Sequence, residues 1–224
     1  MQDDELLDEP VSYNSYAIGD IHGEVTLLKR LLDLLPFRPE DHLIFLGDYV
    51  DRGEDSIAVI RTLQEIQQAH PHCFFLRGNH EDAWLEQWDG TAFREIPMMP
   101  GARKVWESCD GQIPADVGEW LSKTRIDYED AHAYYVHAGV LPGKPFSSTP
   151  PFSKMWGARG FADRDYDWGK TVVFGHWEHP APMIKHHKIG LDTGAWRTGN
   201  LSAIQLPGRQ IFQVHREEET NDSV

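Results

Sequence analysis

One short stretch, residues 47–53, carries three side chains that could do chemistry within a single turn of chain. Asp48 and Asp51 carry carboxylates, which bind cations. Arg52 carries a guanidinium, which donates paired hydrogen bonds to phosphate or carboxylate oxygens. The stretch follows an apolar run, residues 43–46, that predicts a buried strand. Because open α/β sheets place ligands at the carboxyl ends of their strands, we expect a ligand site here.

The same arrangement recurs along the chain, since five predicted strands each end in polar side chains that suit a metal ion. These side chains are Asp20 with His22, Asp48, Asn79, His137 and His176. Oxygen and imidazole ligands together favour borderline divalent ions such as manganese, iron or zinc. In an extended segment residues i and i+2 point the same way, so Asp20 and His22 are predicted to bind one ion together. The two oxygens of Asp48 could bridge a pair of ions about 3.5–4 Å apart, which would clamp a phosphate and generate hydroxide in line with the leaving group.

The elements that must position these residues alternate in type. Helices are predicted around residues 28–35 and from Asp55 onward, between strands at 16–18, 43–46 and 73–76. This β-α-β-α-β order predicts an α/β fold, with a sheet covered by helices and right-handed crossovers. Later strands are predicted at 133–136, 171–174, 189–191, 201–206 and 211–214, and Pro207-Gly208 predicts a hairpin between the last two.

Residues 82–131 have a different character, with four tryptophans and no clear strand pattern. We interpret them as a mostly helical insertion that leans over the strand ends of a single domain, 1–224. Its aromatic side chains could shape a substrate cleft, although large aromatics at such spacing more often belong to a core. The ends of the chain, 1–12 and 216–224, are predicted to be solvated acidic tails.

Composition narrows the class of protein. A net charge of -15 argues against broad nucleic-acid binding, and no apolar run approaches the roughly 20 residues of a membrane span. The acidic N-terminus is the opposite of a secretory signal, and two cysteines give no disulfide framework. We therefore expect a cytoplasmic monomer without nucleic-acid or membrane partners.

Five motifs together carry a resemblance to a known family. Gly19-Asp20-Ile21-His22-Gly23, residues 47–53 and Gly78-Asn79-His80-Glu81 resemble the three signature motifs of the phosphoprotein phosphatase family, which belongs to the calcineurin-like metallophosphoesterases. His137-Ala138-Gly139 and Gly175-His176 resemble its two later histidine motifs, in the right order. The resemblance spans residues 16–206 and implies a mixed α/β sandwich, with central β-sheets flanked by helices. The insertion matches no motif.

The resemblance also implies a metal set, residue by residue. Two divalent ions, manganese ahead of iron or zinc, would be held in adjacent sites. Asp48 would bridge them, with Asp20 and His22 on the first ion and Asn79, His137 and His176 on the second.

Catalytic roles follow from the same motifs. His80 would be the general acid that protonates the leaving group, and Asp51 would orient its ring and raise its pKa. Arg52 would bind the phosphoryl oxygens, and Asn79 would also contact the substrate. Because the metals and the guanidinium neutralise the developing charge, no side-chain base and no covalent phosphoenzyme are expected.

Three positions stay open at this stage. A second phosphate arginine is expected after the first late histidine; Arg159 lies between two glycines and is favoured over Arg164. Trp177, where relatives commonly carry a small or hydroxylic residue, could narrow the site, stack on an aromatic substrate group or turn into the core. Asp192 resembles a family segment near the site, and we expect it to order a turn.

The implied reaction is hydrolysis of phosphate monoesters by direct attack of a hydroxide held by the two metals. The expected substrate is phosphoserine or phosphothreonine in proteins, with phosphotyrosine possible, as in a bacterial-type phosphatase without a regulatory domain. The alternatives are a symmetrical diadenosine tetraphosphate hydrolase, or another hydrolase of small phosphoesters or phosphoanhydrides, with the same site. A catalytically silent binding protein would have lost a ligand or the acid, and none is missing here.

Overall fold

The computed structural model describes residues 12–217 and contains ten strands in two sheets. The strands are β1 (Ser15–Ile18), β2 (His42–Phe45), β3 (Cys73–Phe75), β4 (Asp127–Glu129), β5 (Tyr134–Val136), β6 (Val172–Phe174), β7 (Met183–Ile184), β8 (Lys188–Gly190), β9 (Asn200–Leu206) and β10 (Gln210–His215). The first sheet has the order β10-β9-β1-β2-β3, and the second has the order β4-β5-β6-β8-β7. In the first sheet β1, β2 and β3 pair in parallel, whereas β9 pairs antiparallel with both β1 and β10. In the second sheet β5, β6 and β8 pair in parallel, and the edge strands β4 and β7 are antiparallel to their neighbours.

Seven α-helices of the described residues surround the sheets, together with a short 3-10 helix at Phe146–Ser148. They are α1 (Val25–Leu34), α2 (Ser56–Ala69), α3 (Asn79–Leu85), α4 (Ala102–Ser108), α5 (Ala115–Ser122), α6 (Pro151–Trp156) and α7 (Ala195–Thr198). α1 and α2 are the crossovers between β1, β2 and β3, as the alternation predicts. Asp55 begins α2 by accepting a hydrogen bond from the backbone N–H of Ala58, which satisfies one of the free donors at the helix start.

The core shows why the sheets face each other. Alternate residues of a strand point to opposite faces, so β1 and β2 contribute to two separate clusters. Ile18 and Phe45 pack with the buried faces of α1 and α2. Ala17 and Ile44 pack instead against β6 and β8 of the second sheet. The predicted sandwich of central sheets flanked by helices is therefore confirmed.

The expectation of no strand in residues 82–131 is wrong at one point. Residues 127–129 form β4, which pairs with β5 at the edge of the second sheet. Tyr128 is held there by stacking on Phe74, with 3.8 Å between ring centroids. A three-residue edge strand is too short to show a period in sequence. β7, with two residues, was missed for the same reason.

The tryptophans of this segment belong to the core. Trp84 and Trp120 are buried, and Trp88 and Trp106 are partly buried against the same cluster. The core alternative thus accounts for all four indoles. α3, α4 and α5 supply the helical character that the sequence predicts.

The predicted acidic tails lie almost wholly outside the described residues. Arg216 does not behave as a tail residue, because its guanidinium donates to the buried carboxylate of Glu24 at 2.7 Å. Within residues 12–217, no helix combines the length and the apolar character needed to cross a bilayer. The expected monomeric state and cytoplasmic location stay predictions.

Candidate metal centre

Five strands of the two sheets lead into loops that converge on one site. Five side-chain-bearing residues of these loops have left-handed backbone, with φ between 46° and 71°: His22, Asp48, Asp51, Arg52 and His176. Such conformations cost of order 1 kcal/mol or more for residues other than glycine and concentrate at functional sites. Close packing also restricts the loops, because a Cβ on Gly78 would lie 2.1 Å from Oδ1 of Asp48.

Asp48 stands between two groups of potential metal ligands. One group is His22, Asp48 and His80, the other is Asp48, His137 and His176, and within each group the ligand atoms lie within 4.8 Å of one another. Oδ2 of Asp48 is 3.4 Å from Nε2 of His22, whereas Oδ1 is 3.5 Å from Nε2 of His137. Each carboxylate oxygen thus faces a different group, which is the arrangement that a bridging ligand requires.

Asn79 completes the second group. Its Oδ1 lies 3.1 Å from Nε2 of His137 and 2.9 Å from Nδ1 of His176. Asn79 and His80 sit at the first positions of α3, directly after β3. The helix start therefore presents an amide oxygen to one group and an imidazole to the other.

The protonation pattern tests whether these residues fit a cation. Nδ1 of His137 lies 2.9 Å from the carbonyl oxygen of Leu46, and Nδ1 of His22 lies 2.9 Å from that of Val50. A carbonyl only accepts, so each ring carries its proton on Nδ1 and turns a lone pair on Nε2 toward Asp48. Burial lowers the pKa of both rings, to about 3 for His22, and so favours their neutral forms. Lone pairs that face carboxylate and amide oxygens with no proton between them fit a divalent cation.

Asp20 is placed differently from the sequence argument. The argument needed an extended segment, but β1 ends at Ile18 and His22 has a φ of 46°. Asp20 lies in neither ligand group; its carboxylate accepts the backbone N–H of His176 at 3.0 Å. Burial, with Asp192 and Asp48 nearby, raises its pKa well above the usual value. The extended geometry assumed for Asp20 and His22 is therefore wrong, whereas their binding of one ion together stays a prediction.

Asp192 has the expected turn role and lies close to the site as well. Its Oδ1 accepts the backbone N–H of Gly194 at 2.9 Å. Burial is the main cause that raises its pKa to about 6, and Asp48 adds to it. Three buried acids, Asp20, Asp48 and Asp192, thus concentrate negative charge where divalent cations would compensate it.

His80 forms a hydrogen-bonded pair with Asp51. Nδ1 of the ring is 2.6 Å from Oδ2 of Asp51, and the other carboxylate oxygen accepts the indole N–H of Trp84 at 2.9 Å. Burial alone would lower the pKa of His80, but the charge of Asp48 and the hydrogen bond to Asp51 outweigh it and raise the pKa. Nη2 of Arg52 lies 3.3 Å from Nε2 of the same ring.

Glu81 is the main site residue to which the sequence argument gave no role. The buried carboxylate accepts the backbone N–H of Asp48 at 2.8 Å, of Tyr49 at 2.8 Å and of Gly78 at 2.9 Å. It thereby ties the Asp48 loop to the start of α3. A signal was available, because a glutamate three residues after the start of a helix is the position of a capping box.

The structure gives the surroundings of Trp177 and the exposure of the two candidate phosphate arginines. Arg159 and Arg164 are exposed, and neither makes a side-chain hydrogen bond or ion pair within residues 12–217, so the preference for Arg159 stays a prediction. Trp177 is half-buried against the cluster around β5 and β6. Its indole N–H donates to the carbonyl of Ala138 at 2.9 Å, which turns the ring into the protein.

Comparisons with known proteins were consistent with this geometry. The family model described as calcineurin-like phosphoesterase matches residues 14–180. The chain is 27% identical over 206 residues to serine/threonine-protein phosphatase 2 of Escherichia coli, covering 85% of this chain and 92% of that protein. It is 23% identical over 268 residues to the symmetrical bis(5'-nucleosyl)-tetraphosphatase of Nitrosospira multiformis, covering 89% of this chain and 94% of that protein.

A solved structure shares the fold. A crystal structure provisionally assigned as a diadenosine tetraphosphatase matches with a TM-score of 0.72 at 24% identity, over 94% of this chain and 97% of that chain. At this level of identity the likeness concerns architecture alone.

Proposed function

This chain belongs to the calcineurin-like phosphoesterase family and is a metallophosphoesterase, and from that premise we propose that it hydrolyses phosphoserine and phosphothreonine in proteins. The alignment with the Escherichia coli phosphatase carries this choice, because its 206 positions take in most of both chains with few gaps. The alignment with the tetraphosphatase extends over 268 positions, although it covers a similar share of this 224-residue chain. That relative therefore contains several dozen residues that have no counterpart here.

The packing of Trp177 supports the same choice. A dinucleotide substrate calls for aromatic walls around a base, and Trp177 is the bulky ring next to a proposed metal ligand. Its indole is directed to the carbonyl of Ala138, and Gly157 packs closely on its ring. A phosphorylated side chain on an extended protein segment needs no such wall.

In this proposal the two metal sites share Asp48. Asp20 and His22 would complete the first site, and Asn79, His137 and His176 would complete the second. Divalent cations, of which manganese suits the mixed oxygen and imidazole donors, would neutralise the phosphoryl charge and activate water when bound. Asn79 would also contact the bound phosphoryl group.

The remaining roles belong to side chains of the loops. Arg52 binds phosphoryl oxygens through its guanidinium, and Arg159 is the proposed second contact. His80, protonated on Nε2 as well as Nδ1, gives the Nε2 proton to the departing serine or threonine oxygen. Asp51 keeps the ring oriented and favours its cationic form, which the raised pKa of His80 supports.

A single comparative assay tests the substrate. The chain is reconstituted with manganese, and kcat/KM is measured on phosphoserine, phosphothreonine and phosphotyrosine peptides alongside diadenosine tetraphosphate. We expect the phosphoserine and phosphothreonine peptides to be preferred by at least about tenfold, a difference of about 1.4 kcal/mol in transition-state binding. A preference for the dinucleotide, with adenosine diphosphate as the product, would instead support the symmetrical tetraphosphatase that the second relative suggests.

A further inference from the structure

Arg52 is contacted from three sides by different elements. A Cβ on Gly101, just before α4, would lie 2.1 Å from the backbone nitrogen of Arg52, so the insertion packs directly on its main chain. On another side Nη2 lies 3.3 Å from Nε2 of His80. On the third side Trp196, in α7, lies with its ring centroid 5.3 Å from the Cζ of the guanidinium. The distance is within the roughly 6 Å over which a cation is attracted to an aromatic face.

Each residue of this pair has one buried polar atom without a hydrogen-bond partner among the described residues. Within residues 12–217, Arg52 makes no ion pair with a carboxylate, and its buried Nε has no hydrogen-bond partner. The buried indole nitrogen of Trp196 has no partner either. A buried indole N–H normally finds an acceptor, so hydrogen bonding does not explain why Trp196 lies here. The interaction that its ring does make is the contact with the Arg52 guanidinium.

Arg52 also lies beside one of the two ligand groups. Its Nη2 is 3.3 Å from Nε2 of His80, and His80 shares that group with His22 and Asp48. The guanidinium is therefore beside this ligand group and has a buried Nε–H without a partner among the described residues. Its contact with Trp196 restricts the rotamers that the side chain can adopt.

We propose that Trp196 is a positioning residue that holds the Arg52 guanidinium in place for the phosphoryl group and so sets the affinity of the site for phosphate. The proposal rests on the phosphoryl-binding role given to Arg52 above. An arginine side chain loses rotamer freedom when it binds an anion, and stacking on an aromatic face restricts that freedom in advance. Gly101 fixes the backbone, whereas Trp196 fixes the end of the side chain.

A double-mutant cycle tests the contact. The dissociation constant of inorganic phosphate is measured by calorimetry on the manganese-loaded protein, and KM and kcat are measured on an aryl phosphate. Trp196→Leu is expected to weaken phosphate binding by about three- to thirtyfold and to raise KM more than it lowers kcat. Trp196→Phe keeps an aromatic face and should stay within about threefold of the wild type.

The background of Arg52→Ala separates positioning from a general structural role. Trp196→Leu should change phosphate binding by less than about twofold there, because the guanidinium that it positions is gone. An equal loss in both backgrounds, or no loss in the wild-type background, would overturn the proposal. Trp168→Leu is a matched control, since that indole donates to the carbonyl of Leu141 and packs in the cluster around β5 and β6.

Further controls separate this outcome from misfolding of a variant and from the identity of the substrate. Metal content and thermal unfolding are checked for each variant. Trp196→Met, whose flexible side chain adapts to irregular gaps and has no aromatic face, takes the place of the leucine variant if that one fails to fold. Phosphate binding and aryl phosphate hydrolysis do not require a protein substrate. A wild-type enzyme that rejects phosphopeptides would thus contradict the proposed function while leaving the test of Trp196 intact.

Discussion

The carboxylate of Asp51 lies 2.6 Å from Nδ1 of His80, and both residues are buried. The same carboxylate accepts the indole N–H of Trp84, so its orientation is fixed from a second side. A buried carboxylate at this distance holds the ring with its proton on Nδ1 and leaves Nε2 toward the site. The insertion, through Trp84, thus helps to position the proposed general acid.

Asp51→Asn should move the alkaline limit of activity to lower pH. The hydrogen bond and the negative charge of Asp51 both contribute to the raised pKa of His80, and an amide supplies no charge. The acid must be protonated, so activity is lost as pH rises through the pKa of His80. A lower pKa of His80 moves this loss of activity to lower pH. The measurement is kcat against pH on an alkyl phosphate. Asp33→Asn, an exposed acid on α1, should leave the limit in place, and an unchanged limit in Asp51→Asn would count against the pairing.

His80→Ala should slow poor leaving groups far more than activated ones. A serine-like alkoxide needs a proton as it leaves, and losing a general acid typically costs about 10²–10⁴-fold. An activated aryl oxide is stable without that proton and should lose much less. The comparison uses kcat for an alkyl and a nitroaryl phosphate on the same metal-loaded preparation. Equal losses on both would remove His80 from the role of acid.

Asp48→Asn should abolish metal-dependent activity and reduce the bound metal. The oxygens of Asp48 face different ligand groups, so the change removes an anionic ligand from both. Metal content is measured after dialysis together with hydrolysis of an aryl phosphate, and Asp33→Asn again serves as the exposed control. Full activity with full metal content in Asp48→Asn would contradict the assignment of Asp48 as the bridging ligand.

Glu81→Gln should weaken the hydrogen bonds that hold the loop around Asp48 in place. The carboxylate accepts four backbone N–H groups, and a glutamine amide would point donors at some of them. Leaving a buried donor unsatisfied costs about 1–3 kcal/mol, so the free energy of unfolding should fall by that amount, and manganese affinity should fall with it. Urea unfolding and metal titration measure both. Glu65→Gln, exposed on α2, should change neither.

Much of the framework follows from local sequence pattern. The apolar run at 43–46 and the helical spacing after residue 55 identify β2 and α2, because burial of one face leaves a period in sequence. The proposed ligand residues are predicted in the same way, since each follows such a strand. β4 and β7 are missed because a two- or three-residue edge strand is defined by its partner across the sheet.

The contacts that orient the site are harder to predict. The bond from Trp84 to Asp51 and the stack of Trp196 on Arg52 join residues far apart in the chain, and neither has a local pattern. The extended-strand argument for Asp20 and His22 fails for a related reason. The chain turns sharply just after β1, and a glycine on either side of the pair does not reveal how sharply.

A last prediction concerns Lys188, a fully buried lysine in β8. Its ammonium donates to the carbonyl oxygens of Phe161 and Ala162 and lies 4.9 Å from the ring of Phe161, with no carboxylate partner among the described residues. Burial is the main cause that lowers its pKa from 10.5 to about 8. Between these pH values the unfolded chain keeps a proton that the folded chain gives up, so the stability of the fold rises with pH across that window.

Lys188→Met should lack this rise. The wild type should gain up to about 3 kcal/mol of unfolding free energy relative to the variant between pH 8 and 10.5, because each pKa unit corresponds to about 1.4 kcal/mol. Urea unfolding of the metal-free protein keeps metal binding out of the comparison. Lys144→Met, at an exposed position, should follow the wild type throughout. Parallel curves for wild type and Lys188→Met would mean that the buried ammonium keeps an ordinary pKa, with its two carbonyl acceptors and the aromatic face compensating fully for lost water.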